Sequence, residues 1–210
     1  MKHRTKLALV GMGGYGGFYL RELLRIDDAV PIQLAGIVEP RPEKCRLIQE
    51  VKNRHIPVFS DLSALYAQTN VDLLVISSPI QFHCEQTCLA LTQSSNVLCE
   101  KPISATIDDA QKMIAARDAA GKFVAIGFQW CYSPAIRQLK ADIAQGRFGQ
   151  PKRLKCMVFM PRGINYYQRN DWAGKIRDAE GRWVLDSPVN NAASHYLFNM
   201  FYVLGDKPDR

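Results

Sequence analysis

The sequence predicts an α/β protein that begins with a doubly wound parallel sheet. Six short apolar runs alternate with helical segments between residues 6 and 128. Such alternation requires a parallel sheet with right-handed crossovers. The first run also ends in a glycine-rich stretch that opens a helix. After about residue 130 the alternation stops, which indicates a second domain.

Three runs form the first half of the predicted sheet. "KLALVG" is followed by a segment with apolar residues at helical spacing. "IQLAGIVE" ends at Glu39, and two prolines then break the strand and open the next helix. "PVF" precedes a helix for which Asp61 is the predicted N-cap.

Three further runs complete the sheet. "VDLLVISSP" is continuously apolar, which is typical of a strand buried on both faces. "NVLCE" follows one helix later, and "KFVAIGF" closes the series. Between these two strands we expect a helix that begins at about Thr106. Its predicted apolar stripe consists of Ile107, Ala110, Met113 and Ile114.

The segment after residue 130 contains fewer regular elements. "SPAIRQLKADIAQG" predicts a helix with Ile136, Leu139 and Ile143 inward, "PKRLKCMVFMP" a strand, and "ASHYLFNMFYVLG" a last helix. One strand and two helices cannot cover their own apolar faces. We therefore predict a first domain at 1–130 and, at 131–210, the N-terminal part of a larger domain that is truncated here.

The last helix supports the same interpretation. A chain that ended near residue 210 would leave Leu197, Phe201 and Leu204 exposed, which is a large apolar patch for a monomer.

A long polar and aromatic connection, residues 162–183, lies between the predicted strand and the last helix. Connections of this length are usually functional. Aromatic faces and planar polar groups are typical of carbohydrate sites, although a packing loop remains an alternative. The candidate substrate contacts are Tyr166, Tyr167, Arg169, Asn170 and Trp172.

Composition excludes several classes of protein. No apolar stretch is long enough to span a bilayer or to form a secretory core, and a cytoplasmic location is expected. The six cysteines show no framework spacing, which indicates reduced thiols. His83, Cys84 and Cys88 have no matching second ligand pair, so no metal site is predicted.

The net charge of +7 is unevenly placed. Residues 1–130 carry 14 basic and 13 acidic side chains, whereas residues 131–210 carry 13 and 7. A solvated basic face, an anionic ligand and an acidic partner segment all remain open. Nucleic acid is not expected, because no basic-aromatic motif accompanies the charge.

The stretch "GMGGYG" has the G-x-G-x-x-G spacing of dinucleotide-binding loops. Gly11 permits a tight turn, Gly13 lets the backbone approach a pyrophosphate, and Gly16 allows close packing of helix and strand. The N-terminus of the helix then favours an anion. The residues of this loop that we expect to bind the cofactor are Gly11, Met12, Gly13, Gly14 and Tyr15.

Glu39 indicates which dinucleotide binds. It ends the second predicted strand, a little over 20 residues beyond the glycine motif. A carboxylate there accepts hydrogen bonds from both ribose hydroxyls and repels a 2′-phosphate. NAD is therefore favoured, and NADP stays open because Arg41 lies two residues further on.

Glu100 and Lys101 follow the fifth predicted strand, in "CEKP". Ligands of a doubly wound sheet lie beyond the carboxyl ends of its strands. The pair is therefore expected on the same edge of the sheet as Gly13 and Glu39, rather than in an ordinary solvated turn.

The motifs "GMGGYG", "VDLLVISSPIQFH", "CEKP" and "GFQWCYSPAIRQLK" occur in one order along the chain. In that order they resemble the glucose–fructose oxidoreductase/inositol dehydrogenase (Gfo/Idh/MocA) family. The resemblance implies a Rossmann domain to about residue 130, followed by an α+β domain built on a large open sheet. It also implies a homo-oligomer that pairs through this sheet.

The same resemblance implies roles for individual residues. Ser77, Ser78 and His83 are expected to line the cofactor cleft, with a helix-surface histidine as the alternative for His83. Glu100 is expected near the nicotinamide-side ribose. Gln129 is expected near the nicotinamide, although it is also typical of a polar residue at a strand end.

The expected function is hydride transfer between nicotinamide and a hydroxyl carbon of a sugar or polyol. Lys101 is expected to donate a hydrogen bond to the reacting oxygen and to stabilise its developing charge. The alternative is a non-enzymatic dinucleotide-binding sensor or regulatory protein. Turnover of a polyol with NAD distinguishes the two.

His195 is the predicted acid–base residue, since the family carries its catalytic histidine near the start of a helix. A capping or core histidine is the alternative. The family usually has an aspartate four residues earlier, where this sequence has Asn191. Asparagine orients a hydroxyl but cannot take a proton. Asp186 is nine residues before His195, so an insertion would be needed to bring it back.

Overall fold

A computed structural model describes residues 4–26 and 29–205 of the chain. The chain divides into two compact units, Met1–Ile126 and Gly127–Arg210. The first unit carries the parallel sheet and the second is mostly helical and irregular.

The first unit contains one six-stranded sheet. Its strands, in chain order, are β1 (Thr5–Val10), β2 (Ile32–Val38), β3 (Val58–Phe59), β4 (Leu73–Ile76), β5 (Asn96–Cys99) and β6 (Val124–Ile126). They lie side by side in the order β3-β2-β1-β4-β5-β6, and all neighbours are parallel. All six predicted strands are thereby confirmed, as is the doubly wound Rossmann architecture.

Helices connect these strands. The helices of the first unit are α1 (Gly16–Arg25), α2 (Ile48–Asn53), α3 (Leu62–Gln68), α4 (His83–Thr92) and α5 (Ile107–Ala120). The Asp61 carboxylate accepts a hydrogen bond from Ala64 N at 2.8 Å and caps α3 as predicted. Thr106 caps α5 in the same way, accepting from Asp109 N at 3.2 Å.

The core lies on both faces of the sheet because side chains alternate along each strand. Leu7 and Leu9 of β1 pack in one apolar cluster, and Ala8 and Val10 pack in another. β4 behaves in the same way, and its residues 74–76 are at most 3% exposed. The prediction that this strand is buried on both faces is confirmed.

One helix of the first unit differs from the predicted pattern. Met113 of α5 is 1% exposed, but Ile107 and Ile114, which share its predicted stripe, are 77% and 45% exposed. The helix therefore packs along a narrower line than its apolar residues predict, and its main neighbour is α4.

In the second unit the helices are α6 (Pro134–Ala144), α7 (Ile164–Tyr167) and α8 (Ser194–Leu204). A turn of 3₁₀-helix spans Gln129–Tyr132, and a turn of π-helix spans Pro188–Ala192. Both long helices were predicted. The residues expected to face inward from α6 are only partly covered, and Leu139 is 39% exposed.

The strand predicted for "PKRLKCMVFMP" is wrong for this structure, because residues 151–161 form no regular element. A strand needs a partner for its backbone hydrogen bonds, and in the described part of this unit strand pairing is limited to a bridge between Arg177 and Trp183. Phe159 is 86% exposed, so the segment lacks a covering layer as well.

The apolar face of α8 is uncovered where the sequence predicts it. Leu197, Phe201 and Leu204 are 38%, 67% and 45% exposed. Among residues 4–26 and 29–205, the helices are too short or too polar to cross a bilayer.

Candidate functional site

The glycine-rich loop between β1 and α1 has the geometry that its spacing predicts. Gly11 has a φ of +90°, and a Cβ there would lie 2.8 Å from the Ser77 carbonyl oxygen. A Cβ on Gly16 would overlap the Gly11 carbonyl oxygen. By contrast, a Cβ on Gly13 meets nothing within 4 Å. The loop is therefore packed against the sheet at its ends and open at its middle.

Glu39 lies beside this loop, directly after β2. Its Oε2 accepts a hydrogen bond from Met12 N at 3.0 Å, and its Oε1 accepts one from Arg41 N at 3.1 Å. A carboxylate has about four lone-pair sites, so both oxygens retain acceptor capacity for hydroxyl groups. The structure brings the carboxylate and the glycine loop together, as the sequence predicts.

Ser77 and Ser78 follow β4 on the same edge of the sheet. Ser77 N donates to Val10 O at 2.8 Å, which extends the pairing of β1 and β4 up to the glycine loop. Ser78 Oγ donates to Gln86 Oε1 at 2.6 Å, so this hydroxyl is tied to α4.

His83, at the start of α4, is buried rather than on a helix surface, with 1% exposure. One ring nitrogen lies 2.9 Å from the Pro102 carbonyl oxygen, and the other lies 3.0 Å from that of Ser78. Burial lowers the pKa of this histidine, and the two backbone oxygens oppose that shift. Its ring contacts the loops after β4 and β5 at the carboxyl edge of the sheet. Its contact with the cofactor remains a prediction.

Glu100 is buried, with 8% exposure, directly after β5. Its carboxylate accepts hydrogen bonds from the Tyr19 hydroxyl at 2.8 Å and from Lys101 N at 3.1 Å. Burial raises the pKa of Glu100, while these two donors and the Lys101 charge act in the opposite direction. The backbone N–H of Lys101 thus donates to a buried acid at the edge of the sheet where the strands have their carboxyl ends.

Tyr19 is a site residue that the sequence interpretation missed. Its position in α1 fits the apolar spacing of that helix, which is typical of a packing residue. Its ring lies 5.5 Å from that of Tyr15, which is itself 46% exposed beside the glycine loop. The proximity of Glu100 and burial both raise the pKa of Tyr19, with burial as the larger cause.

In the second unit, His195 lies in the first turn of α8 and is 9% exposed. Its ring stacks on the indole of Trp130 with centroids 4.8 Å apart, and meets the Phe128 ring edge-on at 5.8 Å. The histidine is therefore held by aromatic packing near a helix start. Gln129, next to these aromatics, is exposed in its 3₁₀ turn.

Asn191 lies in the π-helical turn before α8, and Asp186 lies close to it in space. Asn191 Nδ2 donates to Asp186 Oδ1 at 2.8 Å. Gly174 N donates to Asp186 Oδ2 at 2.7 Å. The nearest acid before Asn191 in the sequence is thus in direct contact with its amide.

The long connection, residues 162–183, folds around aromatic–cation contacts. The Arg169 guanidinium lies 3.7 Å from the centroid of the Tyr166 ring, and that of Arg162 lies 4.4 Å from it. Asn170 Oδ1 accepts from the backbone N–H groups of Trp172 and Ala173, at 3.2 and 2.8 Å. Asn170 thus shapes the loop, and its role as a substrate contact remains a prediction.

A cavity of about 250 Å³ opens beside this connection. Its wall includes Arg162, Tyr166, Tyr167 and Asp186. Within the described residues, no cluster of three or more histidine, cysteine or acidic side chains could hold a metal ion.

Comparison with known proteins agrees with the geometry of the first unit. A family model described as "Oxidoreductase family, NAD-binding Rossmann fold" (GFO_IDH_MocA) matches residues 5–128. That stretch includes the glycine loop, Glu39, both serines, His83, Glu100 and Lys101.

Curated relatives include an inositol 2-dehydrogenase of Pseudomonas savastanoi, 29% identical over 77% of this chain and 48% of its own length. A 1,5-anhydro-D-fructose reductase of Ensifer adhaerens is 29% identical over 71% of this chain and 42% of its own. The chain therefore spans about half the length of the curated relatives that it matches.

Among solved structures, the chain resembles the WlbA dehydrogenase of Bordetella pertussis, crystallised with NADH and UDP-GlcNAcA. The TM-score is 0.84 at 27% identity, and the match covers 98% of this chain and 58% of that one.

Proposed function

The chain belongs to the Gfo/Idh/MocA oxidoreductase family, and from this premise we propose that the complete protein is an NAD-dependent dehydrogenase. Its substrate is a sugar, a polyol or a related compound with a reactive hydroxyl group. The observation that carries the proposal is the set of polar groups at one edge of the sheet. The glycine loop, Glu39, Ser77, Glu100 and Lys101 all follow the carboxyl ends of parallel strands.

The residues of this edge fit a dinucleotide. The open space at Gly13 admits a pyrophosphate, and the first turn of α1 contains no acidic residue to repel it. Glu39 would accept hydrogen bonds from the hydroxyls of the adenosine ribose, and its charge would repel a 2′-phosphate. We propose NAD as the cofactor, with NADP as the less favoured alternative. When bound, NAD supplies the hydride acceptor at C4 of its nicotinamide.

The protein's own part in the reaction is to orient the hydroxyl and to move one proton. As the hydroxyl carbon loses a hydride, its oxygen loses a proton and gains carbonyl character. The Lys101 ammonium donates a hydrogen bond to this oxygen and stabilises negative charge that develops on it. His195 takes the proton in oxidation and returns it in reduction.

The test is a substrate panel in the presence of NAD, with NADH formation as the readout. The panel contains myo-inositol, a 1,5-anhydro sugar and UDP-GlcNAcA. Lys101→Ala should abolish most turnover while the Kd for NADH stays nearly unchanged. Lys112→Ala is the matched control, since it removes an exposed lysine of α5 that pairs with Asp109. Tight NADH binding without turnover of any compound would instead favour the non-enzymatic sensor.

A negatively charged sugar derivative is the narrower substrate that we propose. Residues 131–210 carry 13 basic and 7 acidic side chains. The similar Bordetella dehydrogenase was crystallised with a uridine diphosphate sugar. Because screening weakens attraction between charges, kcat/KM for UDP-GlcNAcA should fall with added salt, whereas that for myo-inositol should not. Equal salt dependence for both compounds would refute the narrower proposal.

A homo-oligomer is the proposed state of the complete protein. The uncovered apolar residues of α8 support it, because such patches usually mark contact surfaces. Light scattering after gel filtration measures the mass directly, and a monomer at micromolar concentration would contradict the proposal.

We also propose a cytoplasmic location. All six cysteines lie in the described residues and none forms a disulfide. Free thiols persist in a reducing compartment. Cell fractionation with an antibody against the protein tests this directly, and recovery in an oxidising compartment would contradict it.

A further inference from the structure

The contact between Asp186 and Asn191 has a fixed polarity. Asp186 is buried, with 9% exposure. A carboxylate only accepts hydrogen bonds, and of the two polar atoms of an amide only the nitrogen donates. The 2.8 Å contact therefore commits Nδ2 of Asn191 to Asp186 and turns Oδ1 to the other side of the amide.

The backbone around this pair is held from several directions. Ser187 Oγ accepts from Asn190 N at 3.0 Å, and Asn190 Nδ2 donates to Leu185 O at 3.2 Å. Leu185, directly before the acid, has a φ of +49°, which is a sparsely populated conformation for a leucine. Such strain persists only where the surroundings impose it.

Asn191 lies in a π-helical turn, Pro188–Ala192, that begins two residues after Asp186. Its wide repeat is visible in the hydrogen bond from Ala193 N to Pro188 O, 2.7 Å long. A π turn contains one residue more than an α turn, and such turns occur frequently at functional sites. The turn thus adds one residue to the backbone between Asp186 and His195, next to the contact of Asp186 with Asn191.

We propose that Asp186 is a positioning residue for the reaction and acts through Asn191. Its carboxylate holds Nδ2 of Asn191 and so fixes the direction in which Oδ1 accepts a hydrogen bond during the reaction. An aspartate at position 191 would present the same acceptor polarity. The pair thus divides one role between two residues: Asn191 supplies the oxygen and Asp186 supplies the charge behind it. This inference rests on the proposed dehydrogenase function.

An aspartate at position 191 should be unfavourable beside Asp186. An aspartate at position 191, which the family resemblance implies, would place two carboxylates at the distance of a hydrogen bond. Like charges so close cannot both ionise, so one carboxyl must keep its proton. Asn191→Asp should therefore lower activity, although it brings the sequence nearer to the family pattern.

The test compares three variants of the complete protein: Asp186→Asn, Asn191→Asp and the exchange of both. Asp186→Asn keeps an acceptor for Gly174 N but offers its own amide nitrogen to Asn191, which reverses the Asn191 amide. We expect kcat to fall roughly tenfold to hundredfold, the value of one hydrogen bond to a charged group. The exchange restores an amide–carboxylate contact and should recover kcat to within about fivefold of wild type.

The pH profile separates a positioning role from a merely structural one. Asn191→Asp should add a titrating group to the profile of kcat, because its two carboxyls share a proton. The exchange variant should lose that group again. Asn165→Asp is the matched control, since it makes the same chemical change at an exposed residue of α7. It should keep kcat within about twofold and add no titration.

Several outcomes would overturn the inference. Wild-type kcat in Asp186→Asn, or wild-type kcat and pH profile in Asn191→Asp, shows that Asp186 does not position the amide. An exchange variant no faster than either single variant does the same. NADH affinity and the melting temperature of each variant exclude misfolding as the cause. If the wild-type protein itself turns over none of the panel compounds, the proposed function fails first and the inference falls with it.

Discussion

Tyr19→Phe removes one hydroxyl oxygen and tests how much the hydrogen bond to Glu100 stabilises the folded protein. The Tyr19 hydroxyl donates to Glu100 at 2.8 Å, and Glu100 is only 8% exposed. Water therefore has little access to replace the lost donor. Because burial raises the pKa of Glu100, its protonated form favours folding more than its charged form does. The stabilisation is present at acid pH and is lost as the pH rises through the pKa that Glu100 has in the folded protein.

The magnitude follows from the charge of the acceptor. At neutral pH the variant loses a hydrogen bond to a charged group, worth about 1.5–3 kcal/mol of unfolding free energy. At acid pH the same bond goes to a neutral carboxyl and is worth about 0.5–1.5 kcal/mol. Without its donor the pKa of Glu100 rises further, so the cost should increase by roughly 1 kcal/mol from acid to neutral pH.

Urea unfolding at several pH values measures this cost. Tyr66→Phe is the control, because the Tyr66 hydroxyl contacts a neutral partner, Ser95 Oγ, at 2.8 Å. Its cost of about 0.5–1.5 kcal/mol should not change with pH over this range. A Tyr19→Phe cost that is as flat as that of Tyr66→Phe would refute the argument that Glu100 is charged and sheltered in the folded protein.

Further substitutions test the packing of the glycine loop, the proton transfer assigned to His195 and the choice of cofactor by Glu39. Gly16→Ala should cost about 1–3 kcal/mol of stability through overlap with a carbonyl oxygen, whereas Gly13→Ala should leave urea unfolding unchanged and weaken NADH binding. The reverse pattern would show that the loop packs differently. His195→Ala should lower kcat about 10²–10⁴-fold with little change in the Kd for NADH; wild-type turnover across pH would assign the proton elsewhere. Glu39→Ser should raise NADPH affinity roughly tenfold in fluorescence titration, since it removes a charge that repels the 2′-phosphate. Unchanged NADPH affinity would mean that Glu39 does not select the cofactor.

The first unit could be predicted closely because its signals are local. Each strand is a short apolar run, and the caps at Asp61 and Thr106 are bonds to a backbone N–H three residues on. Parallel strands then determine the rim, since every loop after a strand emerges on one edge. The contact of Glu39 with the glycine loop follows from that topology alone.

The contacts that escaped prediction depend on partners distant in sequence or on irregular backbone. Tyr19 and Glu100 are 81 residues apart, and the position of Tyr19 in an apolar stripe predicts a packing residue. The Asp186–Asn191 contact lies at the start of a π turn, and the residue spacing does not reveal such a turn. The composition of residues 151–161 predicts a strand, but a strand in a sheet needs a neighbour, and the described part of this unit provides none.

The ring of His83 gives the rim a mechanical property that no single loop has. It spans the gap between the Ser78 and Pro102 carbonyl oxygens, which belong to the loops after β4 and β5. A displacement of either loop must stretch or shorten a contact to the same rigid five-membered ring. The segment that carries Lys101 and the segment that carries Ser77 and Ser78 are therefore linked through this one side chain.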